Sequence, residues 1–304
     1  MLKRFRNGKQ EVGLISKRYL ENFQEFFRLF KRHKMALIGT LIVLLWILAA
    51  IFATQLAPHD PLRGNLFKRL MPPAWMTGGE VRYLLGTDHM GRDILSRIIY
   101  GSRTSILIGV VVVFITTTIG IFLGLVAAFY GGKLDALISR VVDILLAFPY
   151  LVFAIGMMAV MGPGMFNMML ALIYKEWVTV CRVVRGEALA IKKIEYIDAA
   201  RAIGIKNAII MFGEILPNVI SPVIVVSTLR VAHIIIMEAS LSFLGLGIQP
   251  PTPAWGSMVS EGRSFIFGFW WISTFPGLAI LTLAMGINLM GEGLRDTLDP
   301  RLKE

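Results

Sequence analysis

Residues 185–217 read RGEALAIKKIEYIDAARAIGIKNAIIMFGEILP, a polar, charge-bearing stretch between two apolar runs. Most connections in a compact domain take about 2–8 residues, so an ordered insert of about thirty reads as a binding element. Tyr196, Ala199, Ala200 and Ile203 recur at i, i+3, i+4 and i+7, one face of a helix. The two alanines on that face let a partner approach closely. Gly204 follows as the left-handed residue that ends such a helix, and Asn207 is placed to cap the next one. Leu216-Pro217 closes the insert at the edge of the following apolar run.

The runs on either side set the class. Hydrophobic residues make up 56% of the 304-residue chain and charged residues 17%, which is the composition of an all-α polytopic membrane protein. The net charge of +11 sits at the ends of apolar runs, where anionic headgroups attract it; it points to the lipid bilayer and away from nucleic acid. A single cysteine, Cys181, excludes an internal disulfide and a cysteine-based zinc site. The four histidines, His33, His59, His89 and His233, lack the HExxH spacing, so no metal ligand set is predicted. Gly131-Gly132-Lys133 is no phosphate loop, because Ala127 stands where its first glycine belongs and Leu134 replaces Ser/Thr.

A membrane-crossing helix takes roughly 20 mostly apolar residues, and six stretches qualify: 35–57, 104–130, 144–162, 165–184, 222–244 and 266–290. With the N-terminus in the cytoplasm, 22 Lys and Arg fall inside and 8 outside, so the charge bias predicts cytoplasmic N- and C-termini. The long basic stretch ahead of the first run does not fit a secretory signal peptide. The predicted organisation is a cytoplasmic amphipathic segment 1–34, a first span 35–57 and an extracytoplasmic loop 58–103. A core 104–291 follows, holding the other five spans and the cytoplasmic loop 185–217, and a tail 292–304 ends the chain. Leu20, Phe23, Phe27 and Phe30 repeat at helical spacing among basic residues, which suits either an interfacial helix or a membrane-bound basic linker. Within the second span, Gly120-x3-Gly124 predicts a close helix–helix contact. Trp270-Trp271 suit the outer interface.

In the external loop, Asp88 reads as the cap of an interfacial helix carrying Ile94, Leu95, Ile98 and Ile99, with Asp93 and Arg97 as an i,i+4 pair. Inside the spans, Lys175 and Glu176 lie about ten residues into the fourth run, and Arg230, His233 and Glu238 share an arc of the fifth. Ionisable groups at such depth face protein or a wet cavity. These five form a candidate substrate pathway, the alternative being that they pair with a neighbouring subunit.

The spacing Asp198-Ala199-Ala200-x3-Gly204, with Leu216-Pro217 after it, resembles the "EAA" loop of prokaryotic ABC importer permeases. In that family the loop is a coupling helix seated in a cleft of the ATPase subunit, and it usually has Glu where this chain has Asp198. Residues 84–105 (LLGTDHMGRDILSRIIYGSRTS), 238–247 (EASLSFLGLG), 249–256 (QPPTPAWG) and 293–300 (GLRDTLDP) are similar to the oligopeptide/dipeptide (and nickel) import branch. The resemblance implies six transmembrane helices of the type I ABC importer permease fold. It further implies ATPase coupling through Asp198, Ala199, Ala200, Gly204, Leu216 and Pro217, without catalytic residues or cofactor.

The implied partners are a second, homologous permease in a heterodimer, two cytoplasmic ATP-binding subunits and an extracytoplasmic peptide-binding protein. The expected function is ATP-driven import of di- and oligopeptides across the cell membrane. Import of nickel or another small solute is the alternative within the branch. A proton-coupled secondary transporter using Glu238, His233 and Arg230 is the alternative outside it.

Overall fold

The computed structural model describes residues 28–31 and 33–298. The predicted segment 1–34 lies almost wholly outside these residues, as does the end of the tail 292–304. Ten α-helices organise the described chain: α1 (Lys34–Ile51), α2 (Ala53–Leu56), α3 (Ile94–Tyr130), α4 (Gly132–Ala147), α5 (Tyr150–Met161), α6 (Met165–Ile191), α7 (Glu195–Ala202), α8 (Asn207–Phe243), α9 (Trp255–Arg263) and α10 (Trp271–Leu298). Among the described residues α1, α3, α8 and α10 are each long and apolar enough to cross a bilayer. Helix α6, at 27 residues, has the length but carries Lys175, Glu176, Arg182 and Arg185. Large apolar side chains are left exposed along these helices, among them Leu45, Phe114, Val160 and Phe166. That is the surface hydrocarbon requires and water penalises.

Two spans differ from their sequence reading. Helix α3 is 37 residues long, about 55 Å at 1.5 Å per residue, so the interfacial helix and the second span are one continuous helix. The capping oxygen at its start belongs to Asp93, which accepts from Ser96 N at 2.8 Å, and not to Asp88. The third span is not one helix. Its chain turns by 92° between α4 and α5, because Pro149 has no N–H to donate and forces Phe148 into an extended conformation (φ −83°, ψ 134°). The predicted run 144–162 began in the last turn of α4 and passed over that proline.

Packing is set by small residues. A Cβ on Gly120 would stand 2.6 Å from Val180 Cβ, and one on Gly124 would stand 2.7 Å from the Cys181 carbonyl oxygen. Helices α3 and α6 therefore touch nearly backbone to backbone along the Gly120-x3-Gly124 face, as that spacing predicts. A second contact of this kind, unread in the sequence, joins α1 to α10. A Cβ on Gly39 would meet the Gly286 oxygen at 2.6 Å, and one on Gly293 would meet Ala36 Cβ at 2.1 Å. Trp271 is buried, its indole N–H directed at the Thr87 carbonyl (3.4 Å), while Trp270 keeps 38% of its surface exposed. Only Trp270 thus offers an interfacial ring, because the outer loop folds over Trp271.

Gly124→Val should lower the folded yield of detergent-extracted protein, since overpacking a tight contact costs about 1–3 kcal/mol or more. Gly156→Ala, in open space on α5, is the matched control and should leave the monodisperse size-exclusion peak intact. A normal peak for Gly124→Val would remove this contact from the packing scheme.

Candidate functional site

Helix α7 is held against the ends of three longer helices. Ile197 and Ala200 are buried with Leu125 and Phe129 of α3, Val184 and Ala188 of α6, and Ile210, Met211 and Ile215 of α8. Ala200 therefore faces the chain's own core, which corrects its sequence-based placement beside Ala199 on an outer face. The larger Ile197 decides the orientation, and Ala200 one turn later follows it down. Ile194, Tyr196, Asp198, Ala199 and Ile203 remain outward, Ile203 with 77% of its surface exposed. Exposed Ile209 and Phe212 at the start of α8 add to the apolar character of this loop.

Gly204 ends α7 with φ +80°. Its N–H donates to the Arg201 carbonyl (3.0 Å), and the Ile205 N–H donates to that of Ala200 (3.1 Å), the paired bonds of a Schellman end. Nothing stands within 4 Å of the position a Cβ would take, so the backbone angle alone calls for glycine. Asn207 is already helical, and the residue before α8 is Lys206, whose side chain makes no capping bond; the capping role read for Asn207 is not realised. Leu216 is half-buried and Pro217 exposed, both inside one unbroken helix and not at a boundary. Residues Ile210–Ile215 form a π-helical turn, with Leu216 N–H bonded back to Met211 O. This wider turn accommodates Pro217, which can neither donate to nor pack closely on the carbonyl four residues earlier.

Basic side chains fix the surroundings. Lys192 Nζ donates to the carbonyls of Ala128 (3.0 Å) and Phe129 (2.7 Å) at the end of α3, and the Arg201 guanidinium lies 5.2 Å from the Phe129 ring centre. Arg185 forks onto Asp135 at 2.5 and 2.7 Å, tying α4 to α6.

Of the five candidate pathway residues, four converge. Lys175 Nζ donates to the Phe148 carbonyl at the helix break and lies 5.5 Å and 5.6 Å from the ring centres of Tyr150 and Phe153. Glu176, 1% exposed at its side chain, lies 3.3 Å from Arg230 Nε. His233 meets Tyr150 edge to face at 5.0 Å. Glu238 stands apart: fully buried, it accepts hydrogen bonds from Ser105 (3.0 Å) and Ser242 (2.9 Å). Tyr150 and the Phe148 carbonyl were not singled out from sequence; Pro149 within an apolar run was the signal available.

The loop before α3 and the first turn of that helix carry a second, buried charged assembly. Asp88 accepts from the backbone N–H groups of Met90 (2.8 Å) and Arg92 (2.9 Å), from Arg92 Nε (2.6 Å) and from Arg97 Nη1. Both guanidinium groups also reach Glu261 of α9, at 2.8 and 2.9 Å. Arg97 is thus paired with Asp88 and Glu261, and not with Asp93 as its spacing suggested. Asp88, His89 and Glu261 place three possible ligand atoms within 4.8 Å of one another, but two guanidinium charges already occupy the carboxylates.

Burial pushes the Asp88 carboxyl up, while Arg97, the Arg92 N–H and the Arg92 guanidinium outweigh it and hold the group below its ordinary value of 3.8. Its stabilisation is therefore complete above about pH 4 and lost only as pH falls through the lower folded value. Asp88→Asn should cost about 3–5 kcal/mol, as for other broken buried pairs. Thermal melts from pH 5 to 8 should show the deficit undiminished across that range; a deficit that vanishes at pH 5 would contradict it.

Comparison with known proteins places this geometry. Residues 120–304 match the family described as binding-protein-dependent transport system inner membrane component, and residues 22–73 match the N-terminal transmembrane domain of oligopeptide transport permease C. The chain is 43% identical to the di/tripeptide transport system permease protein DppC of Pseudomonas aeruginosa, over 94% of each chain. It is 44% identical to the dipeptide transport system permease protein DppC of Escherichia coli K12, over 92% of this chain and 94% of that one. A solved structure of the methionine ABC transporter MetNI in an inward-facing conformation superposes with a TM-score of 0.56 at 17% identity, covering 68% of this chain and 98% of its own. The fold is thus that of a type I importer permease. With four mainly apolar helices long enough to span, a bent pair and a charged α6 around the short, exposed α7, the chain belongs to the binding-protein-dependent transport inner membrane components and is an ABC importer permease, not an enzyme.

Proposed function

We propose that this chain is one of two homologous permeases in an ATP-driven importer of di- and oligopeptides. The observation that carries the mechanism is α7: it exposes Tyr196, Asp198, Ala199 and Ile203 while Ile197 and Ala200 lock it to the ends of α3, α6 and α8. A partner that moves α7 moves three spans with it. ATP closes a pair of cytoplasmic ATPases, their motion enters through α7, and the spans switch the cavity between inward- and outward-facing states. Asp198, Ala199 and Ile203 form the docking face, Gly204 sets its end, and α8, with Leu216-Pro217 inside it, carries the motion on. An extracytoplasmic binding protein delivers the peptide to the face formed by residues 58–103 and α9. Both termini lie in the cytoplasm, in keeping with the bias of basic residues, which is still 20 to 8 with Lys175 and Arg182 of the fourth span left out. Peptide cargo is supported by the di/tripeptide and dipeptide permeases that align over nearly the whole chain.

Purified alone in liposomes, the chain should hydrolyse no ATP and take up no peptide under a proton gradient. Co-reconstituted with a second permease, two ATPases and a binding protein from the same operon, it should import dipeptide only with ATP. Gradient-driven uptake by the isolated chain would favour a secondary transporter, and ATP-dependent uptake of nickel without peptide would favour the small-solute branch.

Gly204→Val should still insert, because the site is open, but strains the backbone by about 1–3 kcal/mol. Co-purification of the ATPases should fall several-fold. Full retention of the ATPases and of uptake would remove the loop end from the mechanism.

A further inference from the structure

The charged groups around the helix break do not balance. Lys175 and Arg230 bring two cations and Glu176 one carboxylate, and the next acid along α8, Glu238, is engaged by Ser105 and Ser242. Glu238 also stands eight residues away, about 12 Å along the helix axis. The assembly is one anion short. Lys175 is spent on the Phe148 carbonyl and two aromatic faces, and it is only 6% exposed. Glu176 is buried.

Arg230 differs from both. Its side chain keeps 28% of its exposure, and among the described residues its single protein partner is Glu176, through Nε at 3.3 Å. It sits 13 residues before the end of α8, about 20 Å along the axis and so near mid-bilayer. A guanidinium at that depth does not face hydrocarbon, so its open side is turned to a wet cavity or to a neighbouring chain. With Nε held by Glu176, the Nη1–Nη2 edge is left as a planar fork that matches a carboxylate. Tyr150 and His233 stand in edge-to-face contact in the same cluster.

We infer that Arg230 is the carboxylate-recognition residue of the translocation path, taking the C-terminal carboxylate of the peptide on Nη1 and Nη2 while Glu176 holds the guanidinium in place. The assignment rests on the peptide-import reading. It explains how one site can serve many sequences: the carboxylate is common to all peptides, whatever their side chains. It also narrows the sequence reading, in which Lys175 and Glu176 stood beside Arg230 as cargo contacts: both are buried, Glu176 against Arg230 and Lys175 on the Phe148 carbonyl.

The test uses the complete reconstituted importer with L-alanyl-L-alanine as cargo. Arg230→Met, Arg230→Lys, Glu176→Gln and the double variant Arg230→Met/Glu176→Gln are compared for complex yield and for the KM and kcat of uptake. Arg230→Met should raise KM about ten-fold or more, as expected for loss of a charge-assisted hydrogen-bond pair, with normal complex yield. Arg230→Lys should recover part of the loss, and Glu176→Gln should give a smaller rise of about three-fold. The double variant, which restores charge neutrality between the two positions, should remain as defective as Arg230→Met. Wild-type uptake in the double variant would overturn the assignment, since Arg230 would then serve only as counter-ion to Glu176. Failure of Arg230→Met to assemble would overturn it by placing the guanidinium in the subunit interface, and unchanged KM would overturn it directly. A wild-type importer that takes up no dialanine would overturn the cargo reading itself and the assignment with it.

Discussion

Hydrocarbon offers no hydrogen-bond partner, so wherever a helix of this chain ends or breaks, its free carbonyls must be met by another part of the protein. Basic side chains do this at three places. Arg103 of α3 reaches the Ala50 and Ile51 carbonyls at the end of α1, at 2.5 and 3.0 Å. Lys192 reaches those of Ala128 and Phe129 at the end of α3. Lys175 reaches the carbonyl of Phe148 where the third span turns. Each places a cation at the negative end of a helix dipole and pins one helix end to a neighbour distant in sequence. The glycine contacts between α3 and α6 bring those two backbones together on the side where Lys192 reaches the end of α3.

The same economy links α7 to the charged cluster between α6 and α8. Helix α7 shares a buried cluster with the start of α8, and α8 then runs without a break to Arg230 and His233. A proline at residue 217 would ordinarily interrupt such a helix. The π-turn at Ile210–Ile215 absorbs it, so the helix that meets α7 is the helix that carries the charged side chains. At mid-membrane Arg230 meets Glu176 of α6, and the adjacent Lys175 holds the break in the third span. The start of α3 is anchored by a different means: Asp88 and Glu261 share the Arg92 and Arg97 guanidinium groups, which joins α3 to α9.

Properties carried by local pattern were readable from the sequence. Apolar run length marked the membrane class, the Gly120-x3-Gly124 spacing marked a close contact, and Gly204 marked the end of α7, since each follows from a few neighbouring residues. Helix α7 was legible as a helix, but which of its faces is outward was not: periodicity defines a stripe, and only the neighbours on α3, α6 and α8 decide that Ile197 and Ala200 go down. The break at Pro149 was written in the chain and lost among apolar residues, which satisfy a hydropathy count whether or not the helix continues.

The charged residues divide along the same line. Residue type and depth alone determined that Lys175, Glu176, Arg230, His233 and Glu238 cannot face lipid, because the cost of an ionised group in hydrocarbon does not depend on the fold. What each one does was decided by tertiary structure. Glu238 is satisfied by a serine one turn on and by another 133 residues earlier in the chain, Lys175 by a carbonyl released at a helix break, and Glu176 by Arg230 across two helices. Hydrogen bonds and ion pairs act over about 3 Å, and distances of that size between residues far apart in the chain exist only once the helices have packed.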